Sequence, residues 1–200
     1  MKLCLFQGTF NPIHNAHISV CEYVKNNFNF DKILLIPAAK PPHKNFDENM
    51  SIHRLNMAKI AVEKYNYIEV SDIEYQRDNL SYTVPTIEEL YKKYSVDGKI
   101  HFIIGTDAFK NIESWYKTEK LKELVDFILF IREDQNSLET DKICLQKLKE
   151  KGYNYKMMKM PFKDISSTTI RQNVYNNIPI KTIVPAGVEK YIAKYGLYRK

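Results

Sequence analysis

Short runs rich in β-branched residues recur along this chain with stretches of helical period between them, and that alternation admits few folds besides a parallel sheet wrapped by helices. The expected strands are Lys2 to Phe6, Lys32 to Ile36, Ile68 to Ser71, Ile100 to Ile104 and Phe127 to Ile131, with a weaker one at Tyr155 to Met158. Helices are expected to start near Asn15, Ser51, Val84, Leu121, Ser137, Ser167 and Pro185. This order predicts an α/β chain: a doubly wound, Rossmann-like, mostly parallel sheet with helices on both faces. No internal repeat, low-complexity linker or shift in composition divides it, so residues 1–200 read as one domain. Pro37 to Met50, a loop with three prolines, is long enough to serve as a lid.

In open sheets of this kind ligands bind beyond the carboxyl ends of the strands, where helix N-termini present backbone N–H groups. Polar residues just after strands therefore matter most. The first strand runs into Gly8-Thr9-Phe10-Asn11-Pro12-Ile13-His14-Asn15-Ala16-His17. Two histidines three positions apart in a first helical turn project to one side, facing any anion held there. Gly8 permits close backbone approach to a phosphate, and Pro12 stiffens the turn. Metal ligation is an alternative, although the chain lacks the intervening Glu of H-E-x-x-H and a third ligand at a suitable position. Two unrelated surface or core histidines are another. Near the other end, Ile165-Ser166-Ser167-Thr168-Thr169-Ile170-Arg171 opens a helix with hydroxyls around its N-cap and a guanidinium in its first turn. That combination suits an anion, and a plain Ser/Thr cap would look the same.

Together, GTFNPIHNAH and ISSTTIR resemble the paired signatures of the nucleotidyltransferase superfamily with an H-x-G-H motif. IPAAKPPHK at 36–44, Arg54, SYTVPTI at 81–87, IIGTDAF at 103–109 and Trp115-Tyr116 narrow the likeness to the bacterial nicotinate-nucleotide adenylyltransferases, over nearly the whole chain. The resemblance implies adenylyl transfer from ATP to nicotinate mononucleotide, giving nicotinate adenine dinucleotide and pyrophosphate in NAD biosynthesis. It implies that His14 and His17 contact the ATP phosphates and, with Arg171, are catalytic. Gly8, Thr9 and Phe10 would form the loop that receives ATP, Ser166, Thr168 and Arg171 would hold the departing β and γ phosphates, and Gly105 and Asp107 would take the adenosine. Lys44 would meet the mononucleotide phosphate, and Thr83, Trp115 and Tyr116 would form the nicotinate pocket. Mg2+ would arrive with ATP, with no dedicated metal site in the protein.

The chain departs from the family pattern at four places: Gln7 and Asn79 where glycine is common, Asn11 where Asp is frequent, and Ala16 between the histidines. None removes a group the reaction needs. Alternatives within the superfamily are transfer to nicotinamide mononucleotide or to phosphopantetheine. From another class comes a protein that binds nucleotides or nucleic acid without catalysis, yet such a relative would be expected to lack His17 or Arg171.

Composition narrows the remaining choices. Thirty Lys plus Arg against 24 Asp plus Glu leave a charge of +6, which suits anionic partners but is spread along the chain. Tyr91-Lys92-Lys93-Tyr94 and Tyr191 to Arg199 resemble a basic, aromatic nucleic-acid surface only weakly, so no nucleic-acid partner is expected. No apolar run is long enough to span a membrane, and Cys4, Cys21 and Cys144 form no C-x-x-C pair; a cytoplasmic protein with reduced thiols is expected. Oligomeric state is not legible.

Overall fold

The computed structural model describes residues 1–42, 47–131, 138–159 and 165–199. Six strands form one sheet: β1 (Leu3–Gly8), β2 (Lys32–Pro37), β3 (Ile68–Val70), β4 (Ile100–Gly105), β5 (Val125–Ile131) and β6 (Tyr155–Lys159). Their order is β3-β2-β1-β4-β5-β6, and every pairing is parallel. Chain direction across the sheet therefore reverses between β1 and β4, the topological switch point at which such folds open a crevice. The β1–β4 register pairs Phe6 with Ile103, so Gly8 and Gly105, each two residues on, end their strands side by side at that crevice.

Strict alternation along the strands fills both faces of the sheet. Cys4, Ile33, Leu35, Ile103 and Ile128 point into one apolar layer, with residues of α1 (Asn15–Asn27), α2 (Glu48–Val62), α7 (Ser167–Tyr175) and α8 (Ala186–Lys194). Leu3, Leu5, Leu34, Ile36, Phe102 and Phe127 point into the other, with residues of α3 (Thr83–Lys93), α4 (Thr106–Lys110), α5 (Thr118–Leu124) and α6 (Leu138–Glu150). Helices on both faces of a parallel sheet were expected, and the structure has them. Among the described residues no helix is long and apolar enough to cross a membrane.

Among the helices, two starts differ from expectation and one helix was not expected. Helix α2 begins at Glu48 rather than Ser51, because the Asp47 carboxylate accepts from the Asn49 N–H and caps it early. Helix α5 begins at Thr118, ahead of its first fully buried residue, Leu121, and runs directly into β5 at Val125. Helix α4, five residues long, carries too short an apolar pattern to be expected at all. The expected start at Ser137 lies outside the described residues.

Helix α8 is held so near α2 that a Cβ on Gly187 would stand 2.5 Å from Cγ2 of Ile60, a branched side chain that cannot swing away cheaply. Gly187→Ala is therefore expected to destabilise the protein by about 1–2 kcal/mol, net of the roughly 1 kcal/mol of helix preference gained. Thermal unfolding would show a Tm lower by about 2–8 °C; an unchanged or higher Tm would mean that the helices separate freely.

Candidate active site

The loop from β1 to α1 is bent and clamped from three sides. Phe10 adopts φ 47°, a left-handed conformation that costs a residue with a Cβ about 1–3 kcal/mol. The bend buries its ring edge-on against His17 at 4.9 Å and against Phe6 at 5.4 Å. The same ring explains Gly8, since a Cβ there would meet the Phe10 ring at 3.0 Å. On one side of Phe10, Arg54 donates to the Thr9 carbonyl at 2.8 Å; on the other, Arg171 donates to the Asn11 carbonyl at 2.8 Å. Ser167 Oγ donates to the Pro12 carbonyl at 2.9 Å, across a cis Asn11–Pro12 bond. The Tyr198 hydroxyl donates to Asn11 Oδ1 at 2.6 Å; burial raises its pKa, against the charges of Arg171 and Arg54.

His14 occupies the N-cap of α1 and is buried, while His17 is half-buried in the first turn. Their rings stack, with centroids 3.6 Å apart and planes inclined at 24°. The His14 backbone N–H donates to His17 Nδ1 at 3.2 Å, so the neutral His17 ring carries its proton on Nε2. A donor is thereby fixed on the side of the ring away from the helix start.

A cavity of about 520 Å³ lies before this loop, lined by His17, Arg171, Thr168, Arg54, Thr9 and Asp47 among others. Ser166 caps α7, accepting from the Thr169 N–H at 3.0 Å, and Arg171 Nη2 donates to Thr168 Oγ1 at 3.2 Å. Beside it lies a second, smaller cavity of about 150 Å³, whose walls include Gln7, Gly8, Thr9, Thr83, Trp115 and Tyr116. Thr9 belongs to both. One chamber is cationic and rich in hydroxyls; the other is aromatic. Trp115 is steadied by Phe102, with ring centroids 6.2 Å apart, and Tyr116 packs against Tyr82 at 4.6 Å.

The structure thus brings His17, Arg171, Thr168, Thr9 and Phe10 to one cavity and Thr83, Trp115 and Tyr116 to its neighbour. His14 supports His17 from beneath and lines neither cavity. Gly105 and Asp107 also line neither; they stand at the end of β4 and in the first turn of α4, with Asp107 exposed and 3.5 Å from Lys110. Lys44 lies outside the described residues. Residues that sequence reasoning left without a role include Asp47 and Ser167, which line the larger cavity, and Arg54, noted only as part of the family pattern. Arg54 is 2% exposed and also donates to the carbonyls of Ala38 at 2.6 Å and Ala39 at 3.1 Å; burial lowers its pKa, against nearby Tyr75, Tyr198 and Glu74. A lone arginine among the apolar residues of a helix was the signal available.

The chain is similar to known proteins over most or all of its length. The sequence model of the cytidylyltransferase-like family matches residues 5–173. A protein of Caldicellulosiruptor bescii, described as "probable nicotinate-nucleotide adenylyltransferase", is 35% identical over 201 residues, covering 100% of both chains. A Staphylococcus haemolyticus protein of the same description is 34% identical, over 98% of this chain and 96% of its own. Among solved structures, the fold is similar to Plasmodium falciparum nicotinic acid mononucleotide adenylyltransferase complexed with NaAD, with a TM-score of 0.77 and 25% identity over 98% of this chain and 97% of that one.

Proposed function

The chain belongs to the nicotinate-nucleotide adenylyltransferase family of the nucleotidyltransferase superfamily, and we propose that it joins ATP to nicotinate mononucleotide, releasing pyrophosphate. The observation that carries this reading is the pair of chambers meeting at Thr9, one suited to a triphosphate and one to an aromatic ring.

The mononucleotide phosphate oxygen attacks the α-phosphorus of ATP in line, and the bond from that phosphorus to the α,β-bridging oxygen breaks. The attacking group is already an anion, so no general base is needed and catalysis rests on positioning and electrostatics. His17 Nε2–H meets the α-phosphate as charge builds there, and Arg171 with Thr168 and Ser166 holds the phosphates that leave. His14 fixes the His17 ring and its tautomer. Gly105, where nothing lies within 4 Å of a would-be Cβ, leaves room for the nucleoside, and the Asp107 carboxylate accepts its ribose hydroxyls. Trp115 stacks on the pyridine ring, while Thr83 at the start of α3 and Tyr116 complete the acceptor wall. Mg2+ would arrive bound to ATP and offset the charge of its phosphates, and Asp47, which lines the larger cavity, is the carboxylate that would face it there.

Pyrophosphate release from ATP tests the reading, with nicotinate mononucleotide, nicotinamide mononucleotide or phosphopantetheine as acceptor. Nicotinate mononucleotide is expected to support turnover best; release with another acceptor and none with this one would overturn it. Trp115→Ala is expected to raise the KM for the mononucleotide about tenfold, the loss of roughly 1.4 kcal/mol of stacking, with the KM for ATP little changed. A defect confined to ATP would move Trp115 out of the acceptor site.

A further inference from the structure

Beneath the aromatic chamber lies a polar cluster that the phosphate chemistry does not use. Its centre is Glu74, 0% exposed, in a 3-10 turn at Ile73–Gln76. Glu74 Oε1 accepts from Gln7 Nε2 at 2.6 Å and from Thr86 Oγ1 at 2.6 Å, and Arg77 Nη2 lies 3.5 Å away. Arg77 also donates to Thr86 and, at 3.1 Å, to Glu89. Thr86 stands in the first turn of α3, with its Oγ1 3.2 Å from the Tyr82 carbonyl. Ser81 Oγ accepts from the Lys40 N–H at 2.9 Å, joining α3 to the segment after β2. One buried carboxylate therefore ties together the end of β1 and the turn that carries Thr83.

The orientation of Gln7 follows from chemistry. With Glu74 ionised, an amide oxygen turned toward it would set two acceptors face to face at 2.6 Å, so the amide nitrogen is the atom in contact. Burial raises the Glu74 pKa; the nearby Ser81 and Thr86 hydroxyls, the charge of Arg77 and the Ala39 backbone pull it back. A carboxylate kept from water depends on each of its donors. Gln7 supplies one of them, at a position where the family pattern commonly has glycine and no side chain can do so.

We propose that Gln7 and Glu74 are positioning residues for the acceptor: their amide–carboxylate bond holds the first turn of α3, and with it Thr83, against the mononucleotide chamber. The phosphate chamber is clamped by Arg54 and Arg171, neither of which hydrogen-bonds Gln7 or Glu74. The inference rests on reading the aromatic chamber as the acceptor site.

Two measurements on the full chain test it, using Gln7→Gly, Glu74→Gln and the exchanged double variant Gln7→Glu/Glu74→Gln. In ligand-free protein, hydrogen exchange at the amides of residues 82–87 is expected to quicken at least about tenfold in each single variant, with Tm shifted by only a few degrees. The exchanged variant keeps one amide facing one carboxylate and is expected to recover most of that protection. Titrations followed by fluorescence of Trp115, the only tryptophan, are expected to show the Kd for nicotinate mononucleotide rising about fivefold or more in the single variants, while the Kd for ATP from equilibrium dialysis stays within about twofold. Unchanged exchange, or equal weakening of both substrates alongside a general loss of Tm, overturns the proposal. If the wild type binds no mononucleotide, the acceptor reading fails, and the exchange result alone decides whether the bond positions α3. Should Glu74→Gln not fold, Gln7→Gly and Gln7→Asn, whose amide is one methylene too short, carry the same test.

Discussion

His17→Ala is expected to lower turnover roughly 10²–10³-fold while the Kd for ATP changes by no more than about threefold. The ring is held from three directions. His14 stacks on one face at 3.6 Å, Phe10 meets it edge-on at 4.9 Å, and the His14 N–H occupies Nδ1 at 3.2 Å. Three constraints leave one tautomer and one direction for Nε2–H, which is the arrangement that stabilises developing charge without reorganisation during the reaction. On the proposed reading ground-state ATP has Arg171, Thr168 and helix α7 to hold it, so truncating the imidazole is expected to remove little affinity. Single-turnover measurement with saturating ATP separates the two effects. Turnover within a few-fold of wild type would show that His17 does not act on the reacting phosphate.

Arg54→Met is expected to cost about 3–5 kcal/mol of stability and to lower Tm by roughly 10 °C, although the arginine touches no reacting atom. Methionine preserves much of the length of the side chain, so the change isolates the guanidinium. Its loss strands the carbonyls of Thr9 and Ala38, which it reaches at 2.8 and 2.6 Å, and leaves that of Ala39 with the Ser51 hydroxyl as donor. The Thr9 carbonyl belongs to the loop bent at Phe10, where φ 47° is already unfavourable and must be held from outside. Freed of Arg54, that loop is expected to relax, misplacing the junction of the chambers and costing a further ~10²-fold in turnover. Calorimetry and steady-state kinetics together check this; a protein of unchanged Tm would show that Arg171 and Ser167 suffice to clamp the loop.

The sheet was legible because its strands are buried on both faces: runs such as Lys32 to Ile36 and Ile100 to Ile104 are apolar almost without interruption, and turn residues punctuate them. What escaped was set by contacts distant in sequence. Nothing local marks Thr106–Lys110 as a helix, and Asp47 extends α2 backward by a cap that could equally have been a loop charge. At the site, residues sharing one stretch with a strand end were found readily, as with Thr9, Phe10 and His17. Spacing puts His14 on the same side as His17 and the family resemblance implies its contact with ATP; the structure adds that it caps the helix and packs beneath its partner. Arg54 acts on a partner 45 residues away, and Gln7 and Glu74 on one another across 67, distances over which periodicity carries no information.

The most direct test of the account is a crystal structure with nicotinate mononucleotide and an ATP analogue that cannot be cleaved between its α and β phosphates. The account expects the triphosphate between His17 and Arg171, the pyridine ring on Trp115, and the two reacting phosphates meeting at Thr9. A triphosphate bound elsewhere, or ligands separated by an intact wall at Thr9, would contradict it.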